Sequence, residues 1–187
     1  MLLAELRAWQ LWCSIVVTIT IPRRVVEAIR KRGHVDVEAF VLEAIEQTLG
    51  LDPQEELETR FSIAEHMLRR AREELEGGDP VQASEKLYKA VEECIKILAC
   101  LNGLEECDIA RREGAWWSKL LGRAARRLSL ALGEPLIVEA WSHAYDLHVH
   151  GFHEHAYTVE EVRESLPLVE KLVEYTRRAL EDTKTRR

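Results

Sequence analysis

Five histidines fall within thirteen residues at positions 143–155 (HAYDLHVHGFHEH), and imidazoles at this density can do three kinds of work. They can exchange protons near neutral pH, ligate a transition metal, or sit as polar groups on the rim of a core. On an α-helix, His143, Asp146, His150 and Glu154 share one face at i, i+3, i+7 and i+11, while His148 and His155 lie on another. A metal centre needs two or three imidazoles, with or without a carboxylate, converging in tetrahedral or octahedral order. One helix supplies only i+3 and i+4 neighbours, and the chain contains no HExxH. Cys13, Cys94, Cys100 and Cys107 form no CxxC pair. Neither a metal nor a cofactor is therefore expected. Gly151 weakens a helix from inside, so the chain is expected to bend or stop there.

Those histidines need a scaffold, and the flanking residues describe a helical one. Asp52-Pro53 with Glu55, and Asp79-Pro80, are cap-then-proline helix starts. Gly77-Gly78 between them turns the chain back, so residues 54–76 and 80–99 form an antiparallel hairpin. Phe61, Ala64, Leu68, Ala71 and Leu75 are the buried stripe of the first helix, and Val81, Leu87, Val91, Ile95 and Leu98 that of the second. Asn102-Gly103 opens a polar loop to about residue 113. A third helix covers 116–132, and a fourth starts at Pro135 and carries Trp141 and the histidines. A last helix runs from Thr158, with Glu161 in a capping box, to 182, and Pro167 is expected to kink it or mark its true start. Cys94 and Cys100 read as small core residues, and a Cys100–Cys107 disulfide is open if the source lives hot.

This hairpin, GDPVQASEKLYKAVEECIKILA at residues 78–99, followed by LHVHGFHE at 147–154, resembles the archaeal PaREP family, whose helical domain belongs to the HEPN superfamily. The resemblance covers residues 51–181. It implies a five-helix HEPN-like bundle. In that family His148, Phe152 and Glu154 match an LH…(F/Y)…E pattern, which would fix the helix end against its neighbours. HEPN nucleases place an Arg five residues before a His near a dimer cleft, where cleavage is assisted by the 2′-OH. With His150 in the histidine position, Tyr145 stands where the Arg would be; with His148, His143 does. A protonated His143 replaces the missing guanidinium only in part. His143, Tyr145, His148 and His150 are thus the catalytic candidates, and the absent arginine weighs against activity.

Residues 16–49 read differently. Val17, Ile19 and Ile21 alternate with Val16, Thr18 and Thr20, the period of a β-strand. Pro22 ends the strand, a helix runs to Arg32, and Asp36 caps a second with Val37, Phe40, Val41, Ala44, Ile45 and Leu49 on its apolar face. Strand, helix, turn and helix are similar to a ribbon-helix-helix module, in which two subunits each supply one strand. A homodimer follows, because a lone strand leaves its ladder unpaired. In DNA-binding modules of this kind the outward strand residues, here Val16, Thr18 and Thr20, enter the major groove. Arg23 and Arg24 could hold phosphates, but no Arg, Asn or Gln on the strand offers a bidentate base contact.

Composition narrows the choice. Arg outnumbers Lys 19 to 7 and amides are scarce, which suits a thermophilic source. Residues 1–50 are neutral, 51–110 carry a net charge of −8 and 111–187 a net of +1, so no continuous nucleic-acid groove is expected. Local contacts remain open at Lys86, Tyr88 and Lys89, at Trp116 and Trp117, and at the stripe Arg123, Arg126 and Arg127. The lysines beside Glu85 and Glu93 are expected to be solvated ion pairs. No apolar run is long enough to span a bilayer, and 11–21 lacks a signal-peptide cleavage site, so a cytoplasmic protein without membrane contact is expected. The expectation is a mainly α chain with a strand-helix-helix arm at 1–50 and a helical bundle at 51–187. Three functions stay open: a homodimeric binding or regulatory protein contacting DNA or RNA, a HEPN-type ribonuclease, and a protein-interaction scaffold.

Overall fold

The computed structural model describes residues 19–32 and 37–185. Eight α-helices and one π-helical segment follow in order among them: α1 (Arg23–Lys31), α2 (Val37–Leu49), α3 (Pro53–Gly77), α4 (Pro80–Leu101), α5 (Glu105–Glu113), α6 (Ser118–Leu132), α7 (Pro135–Asp146), the π-segment (Leu147–His153) and α8 (Val159–Thr185). The chain divides into two compact units, residues 1–40 and 41–187. No strand occurs among the described residues, and 19–22 carry no regular structure. Positions 16–18 of the expected strand lie outside them. A strand exists only through a pairing partner, and this single chain brings no second copy to 19–22.

The α3–α4 hairpin forms where its caps place it. Asp52 Oδ1 accepts from the backbone N–H groups of Gln54 and Glu55 at 2.8 and 3.0 Å, and Glu55 accepts in return from the Asp52 N–H at 3.2 Å. Gly78 reverses the chain at φ 79°, a left-handed conformation that a side chain would oppose. Asp79 then caps α4 through the Gln82 N–H at 3.0 Å.

Helix α4 is the axis of the larger unit. Every residue from 83 to 99 is buried except Lys89, which is half-buried. Helices α3, α5, α6, α7, α8 and the π-segment all pack against it. Leu87, Val91, Ile95 and Leu98 supply the large core side chains; Ala83, Ser84, Ala90 and Ala99 let neighbours approach closely. Facing them are Met67 and Leu68 of α3, Leu121 and Leu128 of α6, Ile137 of α7 and Leu172 of α8.

Three expectations change. The stretch after Asn102 is not a loop to 113: α5 occupies Glu105–Glu113, with Glu105, Glu106 and Asp108 in its first turn and Arg111 and Arg112 in its last. That charge order suits the helix dipole at both ends. The larger unit therefore holds more than five helices. Pro167 does not mark the true start of α8, which runs through it. Buried Val162 before it and Val169 and Leu172 after it anchor both sides of the lost hydrogen bond. The chain also does not stop at Gly151 but continues in the π-segment to His153. Cys100 and Cys107 are joined by a disulfide that ties the end of α4 to α5. Cys94 is a buried free thiol, as expected of a core residue, and burial pushes its pKa up to about 12.

Candidate functional site

The histidine segment is drawn onto α4 at one point. A Cβ on Gly151 would lie 2.8 Å from Ser84 Cβ and closer still to its Oγ, so only glycine allows this approach. The contact explains Gly151 better than a helix break does. It seats Leu147 and Phe152 in the interior and leaves the polar residues of the segment at the rim. The wider π-turn aligns i with i+5 rather than i+4, which changes which histidines meet.

His148 meets Glu85 and His153. Its Nδ1 lies 2.7 Å from Glu85 Oε2, across 63 residues of sequence, and its Nε2 lies 3.2 Å from His153 Nε2. The Tyr88 ring stacks on the imidazole with centroids 4.2 Å apart. Glu85 and Tyr88 are buried on α4, His148 is half-buried, and His153 is exposed. Burial, with Glu92 adding to it, raises the Tyr88 pKa well above the usual phenol range. The result is a carboxylate–imidazole–imidazole chain running from the interior to solvent. Such a chain can move a proton or hold a cation.

His150 belongs to a separate group. Its Nδ1 lies 2.8 Å from Glu154 and its Nε2 3.7 Å from Asp146. Tyr157 donates to Asp146, which pushes the phenol up to about 12. The hydrogen bond with Glu154 raises the His150 pKa. Asp146, His150 and Glu154 thus meet on one face, as their spacing suggested. His143 is exposed on α7, and Tyr145 is exposed with its ring stacked on Trp141. Among the described residues, no group of three or more His, Cys, Asp or Glu side chains converges to hold a metal ion.

The charges of α4 are buried rather than solvated. Lys96 lies 2.8 Å from Glu92 and 2.6 Å from Glu93; Lys89 reaches Glu92 at 3.2 Å, and Arg60 of α3 reaches Glu93 at 3.1 Å. Glu85, Lys89, Glu92 and Lys96 recur at i, i+4, i+7 and i+11, so opposite charges alternate down one face of the central helix. Burial alone would push the Glu92 pKa up, but Lys96 and Lys89 outweigh it and hold the carboxyl well below the usual range. Burial likewise works to lower Lys96 and Lys89, and their glutamates overturn it. A sequence pattern read as a wet face is dry because six elements surround the helix.

Two arginines of the α6 stripe are also engaged, and Arg126 is exposed. Arg123 Nε lies 2.7 Å from the buried Glu106 carboxylate of α5, and Arg127 Nη1 lies 2.9 Å from it. Trp116 is half-buried against the core, and Trp117 is exposed with its Nε1 donating to Glu113 at 2.9 Å. Of the arm candidates, Thr20, Arg23 and Arg24 are exposed, and Arg23 pairs with Glu27 at 2.8 Å. Thr18 lies outside the described residues. No local spacing brings Glu85, Tyr88 and His153 together, because their meeting depends on the π-turn and on how two distant helices pack.

The architecture defines a class: an all-α bundle built around one buried, charge-bearing helix with a π-helical histidine segment against it. The archaeal PaREP1/PaREP8 family matches residues 59–173, and the chain belongs to that family. The crystal structure of a Sulfolobus solfataricus protein is similar at 39% identity, covering 63% of this chain and 96% of that one with a TM-score of 0.57. A solution structure of the same structural-genomics target is likewise 39% identical, covering 64% and 92% with a TM-score of 0.57. No curated protein matches the chain. Among the described residues no helix is long and apolar enough to cross a membrane.

Proposed function

We propose that this chain is a homodimeric, HEPN-like helical protein with a binding or regulatory role. In this reading the arm at 1–50 pairs with a second copy and contacts nucleic acid, while the bundle at 51–187 supplies the body. One observation carries the reading: Ile19, the residue that the ribbon would bury between two subunits, is 59% exposed in the single chain. Val25, Ile45 and Leu49 are exposed as well. Such apolar side chains are the ones a dimer would cover. Arg23, Arg24, Arg30, Lys31 and Arg32 are all exposed beside a single acid, Glu27, and so offer a local cationic surface to phosphates. The test is the mass in solution. Light scattering at low micromolar concentration is expected to give twice the 21.6 kDa of one chain. Ile19→Asp is expected to halve it, because a charge enters the ribbon core. A wild-type mass of one chain would overturn the reading.

A second reading, a HEPN-type ribonuclease, draws on Glu85 and His148. A carboxylate on Nδ1 holds an imidazole in the tautomer of a general base, with Nε2 as the accepting atom. Without a guanidinium at position 143 or 145, cleavage is expected to be slight. Any that occurs should be lost in His143→Ala and His148→Ala. Metal-independent RNA cleavage at pH 8 that survives His143→Ala would promote this reading over the first, with His150 as base and Tyr145 as its partner.

A further inference from the structure

We propose that His148 and His153 form a two-imidazole site for a divalent transition cation of the zinc or copper class, with Glu85 bracing the inner ligand. The two Nε2 atoms lie 3.2 Å apart. Nitrogens bound at about 2.0–2.1 Å to a tetrahedral ion lie about 3.3 Å from each other. The two nitrogens thus already have the spacing of a ligand pair, and the rings, with centroids 4.5 Å apart, need only tilt to aim both lone pairs at one ion. The rings stand nearly perpendicular, at 78°.

The inner ligand is prepared in the way metal-bound imidazoles usually are. Glu85 Oε2 sits 2.7 Å from His148 Nδ1, so a proton held there leaves Nε2 with its lone pair outward. The Tyr88 ring, stacked at 4.2 Å, fixes the plane of the imidazole. Both partners project from α4, whose position is set by the core. The Glu85 side chain is 4% exposed, and a cation on the far side of His148 would place positive charge against that buried carboxylate. His153 is exposed and provides the entry path.

Two nitrogen ligands select imidazole-seeking ions such as Zn²⁺, Cu²⁺ and Ni²⁺ over Mg²⁺ and Ca²⁺, which prefer oxygen. With only two protein ligands, the remaining positions belong to water or to an anionic partner, so the ion is exchangeable. Binding displaces the proton from between the two rings: His153 carries it on Nδ1 instead, so both ligands bind as neutral imidazoles with no net proton released. Nothing in the site depends on the arm or on nucleic acid. It can therefore stand or fall independently of the function proposed above.

The experiment is a titration of the chelator-treated full chain with ZnCl₂ by calorimetry, and with CoCl₂ by visible absorption. One ion per chain is expected, with the more intense Co²⁺ bands of a four-coordinate site. His153→Ala and His148→Gln are each expected to weaken zinc binding at least tenfold. Glu85→Gln is expected to weaken it about tenfold to a hundredfold. His143→Ala and His150→Ala should leave it unchanged. If His148→Gln does not fold by circular dichroism, His153→Ala still decides, because its exposed side chain can be removed without opening the core. Zinc binding as tight in the His148→Gln, His153→Ala double variant as in the wild type would overturn the proposal, as would the absence of binding, which would leave only a shared proton. Binding lost in His150→Ala and kept in His153→Ala would move the ion to the Asp146–His150–Glu154 group and equally overturn it.

Discussion

Gly151 and Ser84 touch so closely that a methyl group on residue 151 would lie 2.8 Å from the Ser84 Cβ. This contact holds the π-segment against α4, and His148 reaches Glu85 one position beyond it. Gly151→Ala should therefore overpack the site and destabilise the protein by about 1–3 kcal/mol. The Tm should fall, and Ser84→Gly in the same chain should recover part of the loss. Thermal unfolding of the single and double variants checks both signs. An unchanged Tm in Gly151→Ala would show that the segment can lift away without penalty.

Arg123 and Arg127 close over the buried Glu106. Removing both with Arg123→Ala and Arg127→Ala leaves a carboxylate without its partners. A loss on the order of 3 kcal/mol is expected, at the low end for a buried pair because the arginines are half exposed. The pH dependence has a definite sign. Burial opposes the Glu106 carboxylate, yet hydrogen bonds from the two arginines lower its pKa below the ordinary value. A group with a depressed folded pKa stabilises above its unfolded pKa, about 4.3, and loses that stabilisation as pH falls through the folded value. Wild type should accordingly lead Glu106→Gln in denaturant midpoint at pH 7, with the gap narrowing below about pH 4.

His155 closes the π-segment at φ 54°, the only non-glycine residue with positive φ among those described. The turn is held by the Ala156 N–H donating to His150 O at 2.8 Å. A side chain pays for this conformation and glycine does not. His155→Gly should raise stability by up to about 1 kcal/mol, read as a higher Tm with unchanged helical content. Ala in the same place should give no gain.

The Cys100–Cys107 disulfide closes a short loop of seven residues in sequence separation. By chain entropy such a closure contributes about 2 kcal/mol. Replacing both cysteines with serine, or reducing the wild type, should lower the denaturant midpoint accordingly, and reductant should have no effect on the double variant.

The cationic surface of α1 makes a prediction about nucleic acid. Arg23→Ala with Arg24→Ala should weaken duplex binding across all sequences and reduce the salt slope by about two. Thr18→Ala with Thr20→Ala should instead relax sequence preference. A wild-type chain that shows no salt-sensitive retention on duplex DNA at low ionic strength would remove nucleic acid from the proposed function.

Local chemistry determined much of this protein in advance. Asp52 with Glu55, Asp79 with Pro80, and the apolar stripe from Ala64 to Leu75 act within three or four residues, so the α3–α4 hairpin was legible from its sequence. Helix α5 has no such cap, since Leu104 stands at its N-cap, and only its acidic first turn and basic last turn mark it. The family was legible too, because the hairpin and LHVHGFHE are contiguous strings. What tertiary structure decided was the meaning of residues far apart in the chain. Lys86 and Lys89 beside Glu85 and Glu93 have the look of a solvated face; packing on every side makes the charges of α4 a buried ladder. Arg123 and Arg127 resembled an anion site until the position of α5 supplied Glu106. The histidines on 143–155 were paired by α-helical spacing, whereas the π-turn matched His148 with His153, and the Gly151–Ser84 approach matched it with Glu85. Contacts of this kind depend on how two helices sit against each other, and no local rule of turns and caps encodes that distance.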